Sequence, residues 1–162
     1  MSLLNVTNLA VTLPTAQGRR AALRGVSFAL PRGAALGLVG ESGCGKSLTA
    51  LALMGLLPEG ARVSGSITFD GRKLNTLDDE AMAALRGDRI GMVFQEPMTA
   101  LNPVHRIGEQ IAESLRLHKQ LDAKAARAEA LRLLERVHLP LARARQDAWP
   151  HQLSGGQRQR VV

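Results

Sequence analysis

Residues 40–47 read Gly40-Glu41-Ser42-Gly43-Cys44-Gly45-Lys46-Ser47, a complete G-x-x-x-x-G-K-[ST] run. The apolar residues 34–39 lead into it, and a helix-forming run over 48–57 follows. A strand that feeds a glycine-rich turn and then a helix aims several backbone N–H groups, and the positive helix end, at one point. Glycines at 40, 43 and 45 let that backbone curl round a phosphate where a Cβ would obstruct it. Lys46 then reaches the outer phosphates, and the Ser47 hydroxyl is placed to ligate magnesium. Gly40 to Ser47, with Leu48 opening the helix, is therefore read as a nucleoside triphosphate site. A glycine-rich turn that merely precedes a lysine would not match at all eight positions with both flanks in place.

A second helix start of the same kind lies about a hundred residues further on, at Leu153-Ser154-Gly155-Gly156-Gln157. Ser154 is a good N-cap, and the two glycines leave backbone amides open ahead of a helical run. Taken with the phosphate-binding loop, this pentapeptide resembles the signature motif of the ATP-binding subunits of ABC transporters. A third match is Val93-Phe94-Gln95, the end of an apolar run over 90–94 that is read as a short buried strand. The resemblance implies that Gln95 contacts magnesium and the attacking water, so the implied metal contacts are Ser47 and Gln95. The stretch Glu96-Pro97-Met98-Thr99-Ala100-Leu101-Asn102-Pro103, and Trp149-Pro150-His151-Gln152 ahead of the signature, narrow the resemblance to the peptide and nickel importer branch. The resemblance covers essentially the whole chain.

The 162 residues carry a formal charge of +7, with 45% hydrophobic residues but only 2% aromatic ones. This length suits one domain with a real core, and that core must be aliphatic. The basic excess raises a nucleic-acid or anionic-surface reading. No five-residue basic block occurs and few aromatics are available to stack on bases, so solvated arginine-rich helix faces are favoured and no nucleic-acid partner is expected. The single cysteine, Cys44, excludes an internal disulfide and a C-x-x-C zinc site, which fits a reducing cytoplasm. The N-terminus lacks the basic and apolar regions of a signal peptide, and the longest apolar stretch is too short to span a bilayer.

Along the chain, two alternating segments within 3–30, separated by the loop at Pro14 to Gly18, read as antiparallel strands. Residues 64–69 read as a strand entering a tight turn at Asp70-Gly71, with Arg72-Lys73-Leu74 returning. Thr76-Leu77-Asp78-Asp79 resembles a capping box opening a short helix that stops at Gly87. Ile107, Ile111 and Leu115 recur on one helix face, and Asp122 caps a second helix with Ala126, Ala130, Leu134 and Val137 on its apolar side. A further short helix or turn is expected over 141–148. The fold class is α/β: a phosphate-loop NTPase core of the ABC ATPase type, with an antiparallel β part and a helical subdomain. Residues 1–95 form the β part and loop core, and 96–157 the helical subdomain carrying the signature at 153–157.

Gly155 to Val162 opens a helix that has no C-cap or polar tail, so the chain is expected to be truncated before the Walker B strand. In the family that strand ends in an aspartate and a catalytic glutamate, and a switch histidine follows. The resemblance implies ATP and Mg2+ as ligands and ATP hydrolysis coupled to import of peptides or related solutes in the intact protein. It implies a second ABC ATPase subunit, homodimeric or heterodimeric, transmembrane permease subunits, and indirectly a periplasmic or extracellular solute-binding protein. The expected location is peripheral, on the cytoplasmic face of the inner or plasma membrane. The alternative is a catalytically incomplete nucleotide-binding fragment without autonomous activity. One departure from the family stands out. Where its members often stack adenine on an aromatic residue, this chain has Val11-Thr12-Leu13-Pro14-Thr15, and Leu13 is left to pack against the base. The four histidines show no ligand spacing, and His151 is read as structural.

Overall fold

The computed structural model describes residues 2–94 and 100–162, which gather into two compact units, Met1–Arg86 and Gly87–Val162.

The first unit is built on a four-stranded antiparallel sheet in the order β2-β1-β3-β4. β1 (Ser2–Thr15) and β2 (Gly18–Pro31) form a long hairpin whose turn is Ala16-Gln17, shorter than the Pro14-to-Gly18 loop expected from composition. Val6, Leu9 and Val11 of β1 are all buried although Val6 and Leu9 are an odd number of positions apart. Strict alternation would turn one of them outward, so the strand needs an extra residue between them. The register shifts there, Asn8 takes φ 50°, and its N–H donates to Ser27 Oγ at 2.8 Å. β3 (Arg62–Phe69) accommodates this bulge with Gly65, where a Cβ would lie 2.3 Å from the Asn8 carbonyl oxygen. The Asp70-Gly71 turn, with both φ positive, returns the chain into the two-residue β4 (Arg72–Lys73), as the sequence predicts.

Helix α1 (Lys46–Met54) begins at Gly45 and stops where Gly55 turns left-handed, earlier than the apolar run 48–57 suggests. The Arg86 guanidinium closes its C-terminal end, Nε donating to the Met54 carbonyl at 2.8 Å and Nη2 to that of Gly55 at 3.2 Å. Helix α2 (Asp79–Leu85) starts one turn later than Thr76, which lies in a 3-10 turn over Leu74–Thr76. Asp78 is the cap, its carboxylate accepting from Ala81 N–H at 2.8 Å, because its oxygen reaches the open amides while the Thr76 hydroxyl donates to the Lys73 carbonyl.

Two expected strands are absent among the described residues. Residues 34–39 are assigned to no strand, and Val39 is 98% exposed. Residues 90–94 form no ladder beyond an isolated bridge at Ile90, and Val93 and Phe94 are exposed rather than buried. An apolar run becomes a strand only when another segment pairs with its N–H and C=O groups. The sheet's described pairings involve neither segment.

The second unit is helical: α3 (Ile107–Lys119), α4 (Ala123–Arg136), α5 (Ala142–Arg145) and α6 (Gly155–Val161). Ile107, Leu134, Leu139, Ala142 and Leu153 form its core, and the small residues Ala112, Ala126 and Ala130 a second cluster. The predicted helix faces hold, with Ile111 and Leu115 packed at the edges, but Val137 falls at the C-cap of α4 and is 37% exposed rather than buried. Asp122 caps α4 by accepting from Ala125 N–H at 2.7 Å. Buried Gln146 ties the segment after α5 to α4 by donating to the Arg127 carbonyl at 2.6 Å. Around it Arg127 bridges Glu109 and Asp147, and Arg106 reaches Asp147 while lying over the Trp149 ring. The Arg127 hydrogen bond and charge, helped by Arg106, hold the Asp147 carboxyl below its ordinary range. No helix among the described residues is long and apolar enough to cross a membrane.

Candidate functional site

The loop Gly40 to Ser47 runs into the N-terminus of α1 with residues 40–44 exposed to solvent. Gly45 is the N-cap at φ 99°, a conformation that L side chains rarely adopt. A Cβ there would meet Leu23 Cδ2 at 2.4 Å, so β2 presses directly on the loop. Thr49, buried in α1, anchors the loop from below: its N–H and Oγ1 donate to the Gly45 carbonyl at 2.8 and 2.9 Å. The Lys46 ammonium folds back over the loop, donating to the carbonyls of Gly40 at 2.8 Å and Glu41 at 2.7 Å, with Cys44 Sγ 3.5 Å away. Its charge therefore sits at the mouth of the loop. Ser47 is exposed in the first turn of α1, and Leu48 is half-buried behind it. Exposed amides, one ammonium, one hydroxyl and a helix N-terminus suit a polyphosphate with its divalent cation.

Ser154 caps α6 as its residue type predicts. Its Oγ accepts from Gln157 N–H at 3.4 Å, and Gln157 Oε1 accepts from Ser154 N–H at 3.0 Å, a reciprocal capping box. Leu153 is buried in the core of the helical unit, which fixes where α6 begins. Gly156 is exposed and Gly155 half-exposed, and a Cβ on Gly156 would meet nothing within 4 Å among the described residues. His151 lies in the 3-10 turn Pro150–Gln152 just ahead. Gln95 and Glu96 to Thr99 lie outside the described residues.

Several residues that build these sites carry no motif. Leu23 and Thr49 support the loop, Arg86 closes the far end of its helix, and Arg145 Nη1 donates to Gln157 Oε1 at 2.7 Å. Only Thr49 leaves a local trace, since it stands one helical turn after Gly45 where a hydroxyl reaches back to a carbonyl.

The chain matches the ABC transporter family over residues 23–162. It is 48% identical over 161 residues to the oligopeptide transport ATP-binding protein OppD of Escherichia coli, a match covering 99% of this chain and 48% of the relative. It is 48% identical to the dipeptide transport ATP-binding protein DppD of Bacillus subtilis, covering 98% of this chain and 48% of the relative. Against the glutathione import ATP-binding protein GsiA of Pectobacterium atrosepticum the identity is 49%, over 97% of this chain and 26% of the relative. The chain thus spans about half the length of the OppD and DppD relatives. Among solved structures it resembles a dimeric ATP-binding cassette in a post-hydrolysis state bound to ADP and Pi, with TM-score 0.82 and 29% identity, covering 98% of this chain and 66% of that one. With the loop, the capped signature and these likenesses together, the chain belongs to the ABC transporter family, in the branch of the oligopeptide and dipeptide transport ATP-binding proteins.

Proposed function

We propose that this chain is the ATP-binding part of a subunit that powers import of peptides or related solutes. The observation that carries the proposal is the Lys46 ammonium held at the mouth of an exposed amide loop on the N-terminus of α1. ATP is the nucleotide implied by the relatives' printed names and by the ADP in the similar cassette structure. Gly40 to Leu48 enclose its phosphates, Lys46 neutralises the outer two, and Ser47 with Gln95 hold magnesium. The metal, when bound, spreads the charge that develops on the transferring phosphoryl group. Gln95 orients the attacking water. Leu153 to Gln157 face the nucleotide of an opposing subunit, so two such domains enclose each ATP, in line with the dimeric cassettes that this chain resembles.

In this reading residues 1–95 are the nucleotide-binding part and 96–157 the helical part, which docks on permease subunits at the cytoplasmic face of the membrane. A solute-binding protein acts through those permeases. The test is the full-length subunit assembled with its permeases in vesicles. ATP turnover should rise when peptide-loaded binding protein is added. Nucleotide binding with no peptide-coupled turnover, or salt-sensitive RNA binding in place of permease association, would overturn the reading.

A further inference from the structure

Arg145 closes α5 and Gln157 stands in the first turn of α6. Arg145 Nη1 donates to Gln157 Oε1 at 2.7 Å, and Ser154 N–H donates to the same atom at 3.0 Å. Two donors meeting at one atom make it the carboxamide oxygen, because the NH2 group has nothing to accept with. The NH2 is therefore the end that neither contact holds, and it has no hydrogen-bond partner among the described residues.

The arginine is not needed to cap α6, since Ser154 and Gln157 already satisfy each other's backbone N–H. Its placement also carries a cost: Arg145 Nε is buried without a hydrogen-bond partner. A lone capping-box bond leaves the glutamine side chain able to swing out and present either end. A second, charged donor arriving from α5 removes that freedom.

We propose that Arg145 is a positioning residue, which holds Gln157 oxygen-inward so that its NH2 donates to an acceptor oxygen on the facing nucleotide. This rests on the reading above that the signature faces the nucleotide of an opposing subunit. Arg145 itself touches no nucleotide; it acts through Gln157.

The test is a double-variant cycle in the full-length, permease-assembled protein, reading kcat, the nucleotide Kd and the melting temperature. Arg145→Met should lower kcat about tenfold, the effect of losing one charge-assisted contact to the nucleotide, with Kd unchanged and a melting temperature no lower than that of Gln157→Ala. Gln157→Ala should lower kcat by a similar factor, and the double variant should fall no further than either single one. Arg145→Lys, which keeps a cationic donor, should recover most of the loss. Gln157→Glu keeps the oxygen that Arg145 holds and replaces the outward donor with an acceptor. It should fold like the wild type and turn over like Gln157→Ala. Additive losses in the double variant, a fall of kcat in Arg145→Met that Arg145→Lys does not restore, or wild-type turnover in Gln157→Glu would each overturn the proposal. Lys46→Ala serves as the control: normal turnover there means the nucleotide site has been misread. A dead Lys46→Ala beside a normal Arg145→Met means only the positioning role has failed.

Discussion

Cutting Lys46 back to alanine should separate nucleotide binding from folding. The ammonium now donates to the carbonyls of Gly40 and Glu41 at 2.8 and 2.7 Å. Both residues are exposed, so water replaces the lysine and folding should lose less than about 1 kcal/mol. For a protein of 150 residues or more that is a melting shift of at most about 4 °C. Binding is different, because the ammonium exchanges neutral carbonyls for anionic phosphate oxygens. Two charge-assisted contacts at about 1.5 kcal/mol each amount to about 3 kcal/mol, roughly a hundredfold in Kd. The assay is calorimetric titration of the full-length protein and its Lys46→Ala variant with Mg-ATP, beside thermal melts without nucleotide. A Kd within threefold of wild type would refute the placement of phosphate at this loop. A large loss of melting temperature without nucleotide would instead make Lys46 a structural residue.

Other outcomes follow from particular contacts. Cys44 is exposed in the loop beside Lys46, so maleimide should alkylate it and inactivate the full-length protein, with Mg-ATP slowing the reaction; lack of protection would place the thiol away from the phosphates. Gly45→Ala puts a Cβ 2.4 Å from Leu23 Cδ2 at φ 99° and should destabilise by about 2 kcal/mol on a denaturant melt, whereas an unchanged midpoint would contradict the packing of β2 on the loop. Asp122→Ala removes the α4 cap and should lower stability by about 1 kcal/mol without altering nucleotide affinity, again read from melts and titration. The Asp147 carboxyl is held low by Arg127, so its stabilisation is complete above the ordinary value of about 3.9 and is lost as pH falls through the depressed folded-state pKa. The small melting difference between wild type and Asp147→Asn at pH 6 should therefore vanish under strong acid; persistence there would mean that packing, not charge, sets it.

The parts legible in the chain alone are those decided within a few residues. The phosphate loop, the Asp70-Gly71 turn, the Asp122 and Ser154 caps and the Ile107, Ile111, Leu115 face each depend on neighbours at most one helical turn away. Backbone geometry and side-chain reach settle them before any distant segment arrives. The tertiary structure decided what needs a partner far along the chain. Residues 34–39 and 90–94 have strand composition, yet a strand is a relation between two segments, and they remain outside the ladders described. The extra residue at Asn8 is forced by burying Val6 and Leu9 on one face, which no local propensity encodes. Leu23 beneath Gly45, Arg86 on the end of α1 and Arg145 on Gln157 likewise join residues 12 to 32 positions apart. Their spacing carries no periodic signal, so only the folded chain brings each of them to its partner.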